Sequence, residues 1–424
     1  IVSVIQPAQP KYTWNDAGFV RPNKKNLVVY ELLLRDFVAK HDFQTLKDTL
    51  PYLKKLGINA IELMPFSEFE GNSSWGYNPN FFFATDKYYG TPAAIKAFID
   101  AAHQQGIAVI MDMVLNHVFG SSPLAKMYWD GTSNKPAANN PWLNTDAKHP
   151  FNVGNDFNHE SAATKQLVTR VVKHWMKEFH IDGYRWDLSK GFTQVNNPTN
   201  VGAWGTYDAS RIKIWKSIYD TMQVASPSSY CILEHFADNT EEKELADYGM
   251  LLWGNANYSF NEGTMGYTST SNFGTSFSNS RNFANQHLVT YMESHDEERL
   301  QYKNLNFGNS AGTYNIKDPA TALKRNEMAA AFWALTPGPK LMWQFGELGY
   351  DLSINTCTNG TVDVNNCRLA EKPIKWDYLQ DANRKGLFDA YAKFLKLRGT
   401  AAYTNDFGSN KYTVNSAGSV KSMQ

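Results

Sequence analysis

The feature that most restricts the fold of this chain is a long alternation of short apolar runs with amphipathic stretches, beginning at Asn26. Residues 27–34 (LVVYELLL) read as a buried strand, 43–56 as a helix halted at Gly57, and 60–64 as a second strand. A helix over 91–105 follows, with Thr91 as N-cap and Gly106 just past its end, then a strand over 108–114. After an interruption the alternation resumes: helix 160–179, strand 183–187, helix 210–224, strand 230–233. Further strands are expected at 250–253, 288–292 and 340–344, with helices over 320–334 and 382–397. Some eight strands, each mostly followed by a helix, are the α/β pattern of a (β/α)8 TIM barrel. A doubly wound open sheet competes, but no Gly-rich phosphate fingerprint follows the first strand.

The segments outside this pattern divide the chain. Residues 1–25, with Pro7, Pro10 and Pro22 among polar neighbours, read as an N-terminal linker. Residues 26–117 form the first part of the barrel and 159–398 the second. Between them, 118–158 is rich in Asn, Gly, Pro and Ser; a structureless loop of that length is rare in a compact domain, so an insertion with local structure is expected. Residues 399–424 read as the start of a C-terminal β piece that this sequence does not complete.

Composition narrows the partners. Lys and Arg total 41 and so do Asp and Glu, so no net field draws the chain to nucleic acid or an anionic membrane surface. No run approaches the roughly 20 apolar residues of a membrane helix, and no signal-peptide pattern opens the sequence. Three cysteines are too few for a disulfide scaffold or a cysteine-rich zinc site. Cys357 and Cys367 flank a turn-rich stretch, where a bridge and two free thiols are both open; Cys231, inside an apolar strand, reads as a buried thiol. A bridge there, with the polar and aromatic composition, points towards an exported protein.

Acids fall where a barrel enzyme keeps its chemistry, at the C-terminal ends of strands. Asp187 ends GYRWD, Glu234 ends CILE and Asp296 closes MESHD. One such acid could simply cap the next helix; three on three strands, with Arg185 and His295 beside them, make a site the stronger reading. Residues two apart on a strand share a face, so Arg185 should lie beside Asp187 and keep it ionised, as a nucleophile requires. Glu234, with no arginine next to it in sequence, is then the candidate acid. Several carboxylates without soft metal ligands suit glycoside hydrolysis, in which one attacks the anomeric carbon and another protonates the leaving oxygen.

These residues resemble the signatures of glycoside hydrolase family 13, the α-amylase family. DMVLNH (112–117) is similar to the first, GYRWDLSK (183–190) to the second, Glu234 to the third and SHD (294–296) to the fourth; GNDFN (154–158) and WGYNP (75–79) also match. The resemblance runs from about Leu27 to Leu397. It implies a barrel (domain A), an insertion after strand three (domain B) and a C-terminal β domain. Asp187 would be the nucleophile, Glu234 the acid/base and Asp296 the transition-state stabiliser. Trp75, Tyr77, His117, Arg185, Lys190 and His295 would bind the sugar. Asn116, Asp156 and the carbonyl of Gly191, where many amylases have histidine, would hold Ca2+, a hard cation suited to oxygen ligands.

The function expected is therefore retaining cleavage of α-1,4-glucosidic bonds in starch-like α-glucans, endo-acting, with a branching or transferase enzyme, or an α-1,6-acting one, as the alternative. A non-catalytic glucan-binding barrel is disfavoured by the complete acid set. Of the remaining aromatics, Trp129, Trp142, Trp204 and Trp253 read more readily as packing than as sugar platforms.

Overall fold

A computed structural model describes residues 11–416 and 418–424. Eight strands close into a parallel barrel: β1 (Val28–Leu32), β2 (Ala60–Leu63), β3 (Ala108–Met113), β4 (Gly183–Trp186), β5 (Tyr230–Leu233), β6 (Leu251–Asn255), β7 (Leu288–Tyr291) and β8 (Lys340–Trp343). Each neighbours the next in chain order, and β8 pairs with β1 to close the ring. The outer helices are α1 (Leu50–Leu56), α2 (Pro92–Gln104), α3 (Ala162–Glu178), α4 (Ala209–Ala225), α5 (Asn239–Tyr248), α6 (Asn257–Met265), α7 (Pro319–Leu335) and α8 (Ala382–Arg398).

Period-two alternation sorts the strand side chains into two cores. Val29, Ala60, Ala108, Ile110, Tyr230, Ile232, Leu251, Val289 and Leu341 pack into one cluster, the barrel interior. Their strand neighbours Tyr30, Ile61, Val109, Met111, Tyr184, Trp186, Leu233, Leu252 and Met342 join the larger shell beneath the helices. Each fully buried Val, Leu or Ile contributes roughly 1.5–3 kcal/mol by leaving water. Side-chain caps start the helices: Thr91, Ser161, Asp208, Asp238, Asp318 and Asp381 each accept a hydrogen bond from a first-turn N–H.

Three local departures have physical reasons. The helix expected over 43–56 splits into Phe43–Lys47 and α1, which carries Pro51 in its first turn, where the missing N–H costs nothing. Helices α5 and α6 went unread because their buried faces hold Glu241, Glu242, Asn257, Ser259 and Asn261, which erases the apolar period. After β2 an antiparallel hairpin (Ser67–Phe69 with Pro79–Thr85) carries Trp75 and Tyr77 in its connection.

In the 118–158 stretch, His117–Val118 pairs with Asn155–Asp156 and Trp129–Asp130 with Lys135–Pro136. Of the segment read as a linker, residues 1–10 lie outside the described residues, and the remainder is anchored to the barrel. Asp16 meets His103 and His180, Arg21 pairs with Asp182 at 2.6 Å, and the Phe19 ring stacks on His103 against the interior cluster. Near the C-terminus, Val414–Asn415 pairs with Ser422–Met423. Cys357 and Cys367 form a disulfide, and Cys231 is a buried thiol. Among the described residues no helix is long and apolar enough to cross a membrane.

Candidate active site

The interior changes character as the strands rise. Two residues beyond Val29, Ala60 and Ile110 come Glu31, Glu62 and Asp112, and Arg185 follows on β4; all four are buried. Asp187 and Glu234 stand just past β4 and β5, and His295 and Asp296 just past β7.

Arg185 organises the site. Its Nη1 donates to both Asp112 oxygens at 2.9 and 3.0 Å and to Asp187 Oδ1 at 3.2 Å. Its Nη2 lies 2.9 Å from Glu234 Oε2, a charge contact without hydrogen-bond alignment, and its guanidinium sits 4.2 Å from the Trp253 ring centre. The expectation that Arg185 would favour Asp187 and leave Glu234 alone is therefore corrected: the long side chain reaches across to β5 and serves both acids. The turn directly after Asp187 is strained, since Leu188 has φ 44°, a region a branched side chain seldom occupies. That turn aims the Leu188 N–H at Glu234 Oε2, 2.8 Å away.

Burial pushes the Asp187 carboxyl well above its ordinary range, with the charges of Glu234 and Asp112 adding to the rise and Arg185 opposing it. Glu234 is raised for the same first reason, again against Arg185. Two desolvated acids sharing one guanidinium do not readily ionise together. Asp296 differs. Burial would raise it, but the charge and hydrogen bond of His295 and then Arg368 outweigh burial and hold it far below the usual range. His295 Nε2 lies 3.4 Å from Asp296 Oδ2, and Arg368 Nη2 donates to Asp296 Oδ1 at 2.7 Å.

The residues expected around the sugar come together unevenly. Tyr77 is half-buried, stacks on His295 with ring centres 5.0 Å apart and donates to Asp112 at 2.6 Å. Gly76 beside it has φ 96° and packs so close to Pro65 that a Cβ would come within 2.1 Å of its carbonyl oxygen. Trp75 is almost fully buried, edge-on to His295 at 5.7 Å, and acts as packing rather than a platform. His117 is fully buried and donates its Nε2–H to the Tyr77 carbonyl at 2.8 Å, with burial lowering it to about 4, so a neutral imidazole anchors the Tyr77 segment. Lys190 lies at the rim, donating to the Phe236 carbonyl at 2.8 Å and resting 4.0 Å from the Trp204 ring centre. Of the other tryptophans, Trp204 and Trp253 are buried and Trp129 is partly exposed on the insertion.

Sequence reasoning missed Glu31, Glu62, Arg368 and the Arg211–Glu241 pair behind Glu234, whose Glu241 also holds His235 at 2.8 Å. A charge in register with interior apolar positions was the available signal for the two acids. Arg368 carried none: it arrives on a loop remote in sequence, secured by the disulfide and by Lys372, which donates to the Cys367 and Ala370 carbonyls.

The residues expected to hold calcium do meet, around His149. Its Nε2 lies 3.2 Å from Asn116 Nδ2 and 3.5 Å from Asp156 Oδ1, and a Cβ on Gly191 would come within 2.1 Å of Asn116 Nδ2. That crowding explains the glycine. An oxygen-ligated cation has little room there: Ca2+ takes six to eight oxygens, whereas Asn116 and Asp156 offer one amide and one carboxylate with the His149 imidazole within 3.5 Å of both, though Asp156 Oδ1 is buried without a hydrogen-bond partner. Among the described residues no group of three His, Cys, Asp or Glu is placed to hold a metal.

Comparison with known proteins bears on this geometry. The chain matches the family described as "Alpha amylase, catalytic domain" over residues 18–154 and 139–396. It is 30% identical over 228 residues to the malto-oligosyltrehalose trehalohydrolase of Saccharolobus solfataricus, covering 52% of this chain and 38% of that protein. It is 31% identical over 214 residues to the 1,4-alpha-glucan branching enzyme of Shewanella baltica, covering 47% and 28% respectively. The chain thus spans well under half the length of these curated relatives. In fold it is similar to the pullulanase type I of Bacillus subtilis solved with maltose, with a TM-score of 0.68 at 21% identity, covering 93% of this chain and 59% of that one.

Proposed function

The chain belongs to the α-amylase family, glycoside hydrolase family 13, and from that premise we propose that it is a retaining enzyme cleaving α-1,4-glucosidic bonds within starch-like α-glucans. The observation that carries this reading is the convergence of Asp187 and Glu234 on the single guanidinium of Arg185. Carboxyls held so near one another suit the retaining geometry, about 5 Å apart, rather than the wider gap that admits a water in inverting enzymes.

In the first step Asp187 attacks the anomeric carbon as Glu234 gives its proton to the departing glycosidic oxygen, leaving a glycosyl-enzyme ester. In the second, Glu234 takes a proton from water, whose oxygen displaces Asp187 and restores the α configuration. The first step requires Asp187 ionised while Glu234 holds a proton, one proton between the two acids. Asp296, kept anionic, can accept hydrogen bonds from sugar hydroxyls, and the positive charge of Arg185 and His295 offsets the acids. Tyr77, stacked on His295, is the ring best placed to meet the sugar.

A second reading, transfer to a sugar hydroxyl as in branching, draws support from the branching-enzyme relative. The test is a time course on amylose and amylopectin. New reducing ends with rapid loss of long chains support internal hydrolysis; altered branching without new reducing ends supports transfer. We also read 118–158 as the family's domain B and 399–424, with its Val414–Asn415 and Ser422–Met423 pairing, as C-terminal β structure outside the barrel. The disulfide supports an exported setting, since thiols stay reduced in most cytosols.

A further inference from the structure

Glu31 lies beneath the reacting groups and touches none of them. Its Oε1 lies 2.6 Å from His295 Nδ1, and its Oε2 accepts the His295 backbone N–H at 3.1 Å. Both oxygens are thereby committed to one residue, gripping ring and backbone together. On the far side of the ring, His295 Nε2 faces Asp296. Nε2 and Asp296 make a charge contact without hydrogen-bond alignment; a carboxylate thus stands at each nitrogen, an arrangement that favours the imidazolium.

The rest of the surroundings permit no slack. Tyr77 stacks on one face with its hydroxyl 3.4 Å from Nδ1, and Trp75, Trp253 and Trp343 pack around the ring. The other charges nearby are Glu62, Asp112, Arg185, Asp187, Glu234 and Glu297. Glu62 pairs with Glu31 in strand register, yet neither of its oxygens has a partner, so it cannot substitute for Glu31 as an anion on His295.

We propose that Glu31 is a positioning residue for glycosyl transfer, acting through His295: it orients the ring and keeps both its nitrogens protonated, so that a cation stands beside Asp296 where the sugar binds. This rests on the reading of the site as a glycosidase. The arrangement agrees with the direction at His295, which burial would lower but which Asp296 and Glu31 hold well above its ordinary range.

The experiment is a double-mutant cycle of Glu31→Gln and His295→Gln, assayed on a chromogenic malto-oligosaccharide across pH, with folding checked by circular dichroism and melting. Glu31→Gln should lower kcat by about a hundredfold through a misplaced ring, with KM less affected. It should also move the alkaline limb of the rate profile to lower pH by about one unit or more, as the imidazolium loses its anion. Added to His295→Gln, it should cost little more, because a residue acting through another has no separate effect once that partner is gone. The double variant also leaves no unpaired buried cation, so the cycle stays readable if Glu31→Gln alone folds poorly. Losses that multiply, or a Glu31→Gln enzyme with wild-type rate and pH limb, would overturn the proposal. A wild type inert on every α-glucan would instead remove the glycosidase reading beneath it.

Discussion

The two ends of the barrel interior are built on the same strands and obey opposite rules. Towards the N-terminal end Val29, Ala60, Ala108, Ile232, Leu251 and Val289 fill the interior with apolar volume. Further along the strands the interior carries Glu31, Glu62, Asp112 and Arg185. The lower half is stabilised by leaving water, and its residues are exchangeable for others of like volume. The upper half buries charge, which weakens a fold unless every group is paired, and Glu62 is not. Chemistry is thus confined to the half that a stability criterion alone would have filled with aliphatic side chains.

This contrast can be broken by mutation. The largest effect should come from Asp187→Asn, which is expected to lower turnover by at least about a thousandfold while leaving the melting temperature unchanged or higher. Initial rates and calorimetry check both halves of that statement; activity near wild type would remove Asp187 from its role. Leu251→Ala, in the lower half, should do the reverse, costing about 2–5 kcal/mol of stability with turnover per folded molecule kept. Denaturant unfolding alongside active-site titration measures it.

Glu62→Gln should stabilise, and the sign follows from linkage. Burial raises the Glu62 carboxyl well above its ordinary value of 4.5, so the unfolded chain releases this proton first as pH rises. The native state therefore loses relative stability above about pH 4.5, and the variant should be the more stable of the two at pH 7, a gap that closes below pH 4. Equal stability at both pH values would mean that Glu62 is better solvated than its burial implies. The smallest effect expected is none: a chelator should leave melting and activity unchanged, because His149 fills the space between Asn116 and Asp156. A lower melting temperature on chelation would restore the cation.

Much of this was legible in the chain. Apolar runs bounded by Gly57, Thr91 and Gly106 located the strands and helices of the first units, and acids directly after apolar runs located Asp187, Glu234 and Asp296. What escaped depended on distance in space. Adjacency suggested that Arg185 belongs to Asp187, but a guanidinium on a long stem reaches Glu234 on the next strand as readily. Arg368 reaches Asp296 from a loop whose path depends on a disulfide and on backbone carbonyls, neither of which leaves a periodic trace. Trp75 looked like a platform by its place beside Tyr77, and burial against His295 made it packing instead.

The most direct test of the claim that the upper half holds a nucleophile and an acid on one guanidinium is stereochemical. Proton NMR of the anomeric signals during the first minutes of malto-oligosaccharide cleavage should show the new reducing end, or the new linkage, forming as the α anomer, with any β signal appearing later by mutarotation. A β product from the start would mean direct attack by water, and would contradict the assignment of Asp187 as a covalent nucleophile.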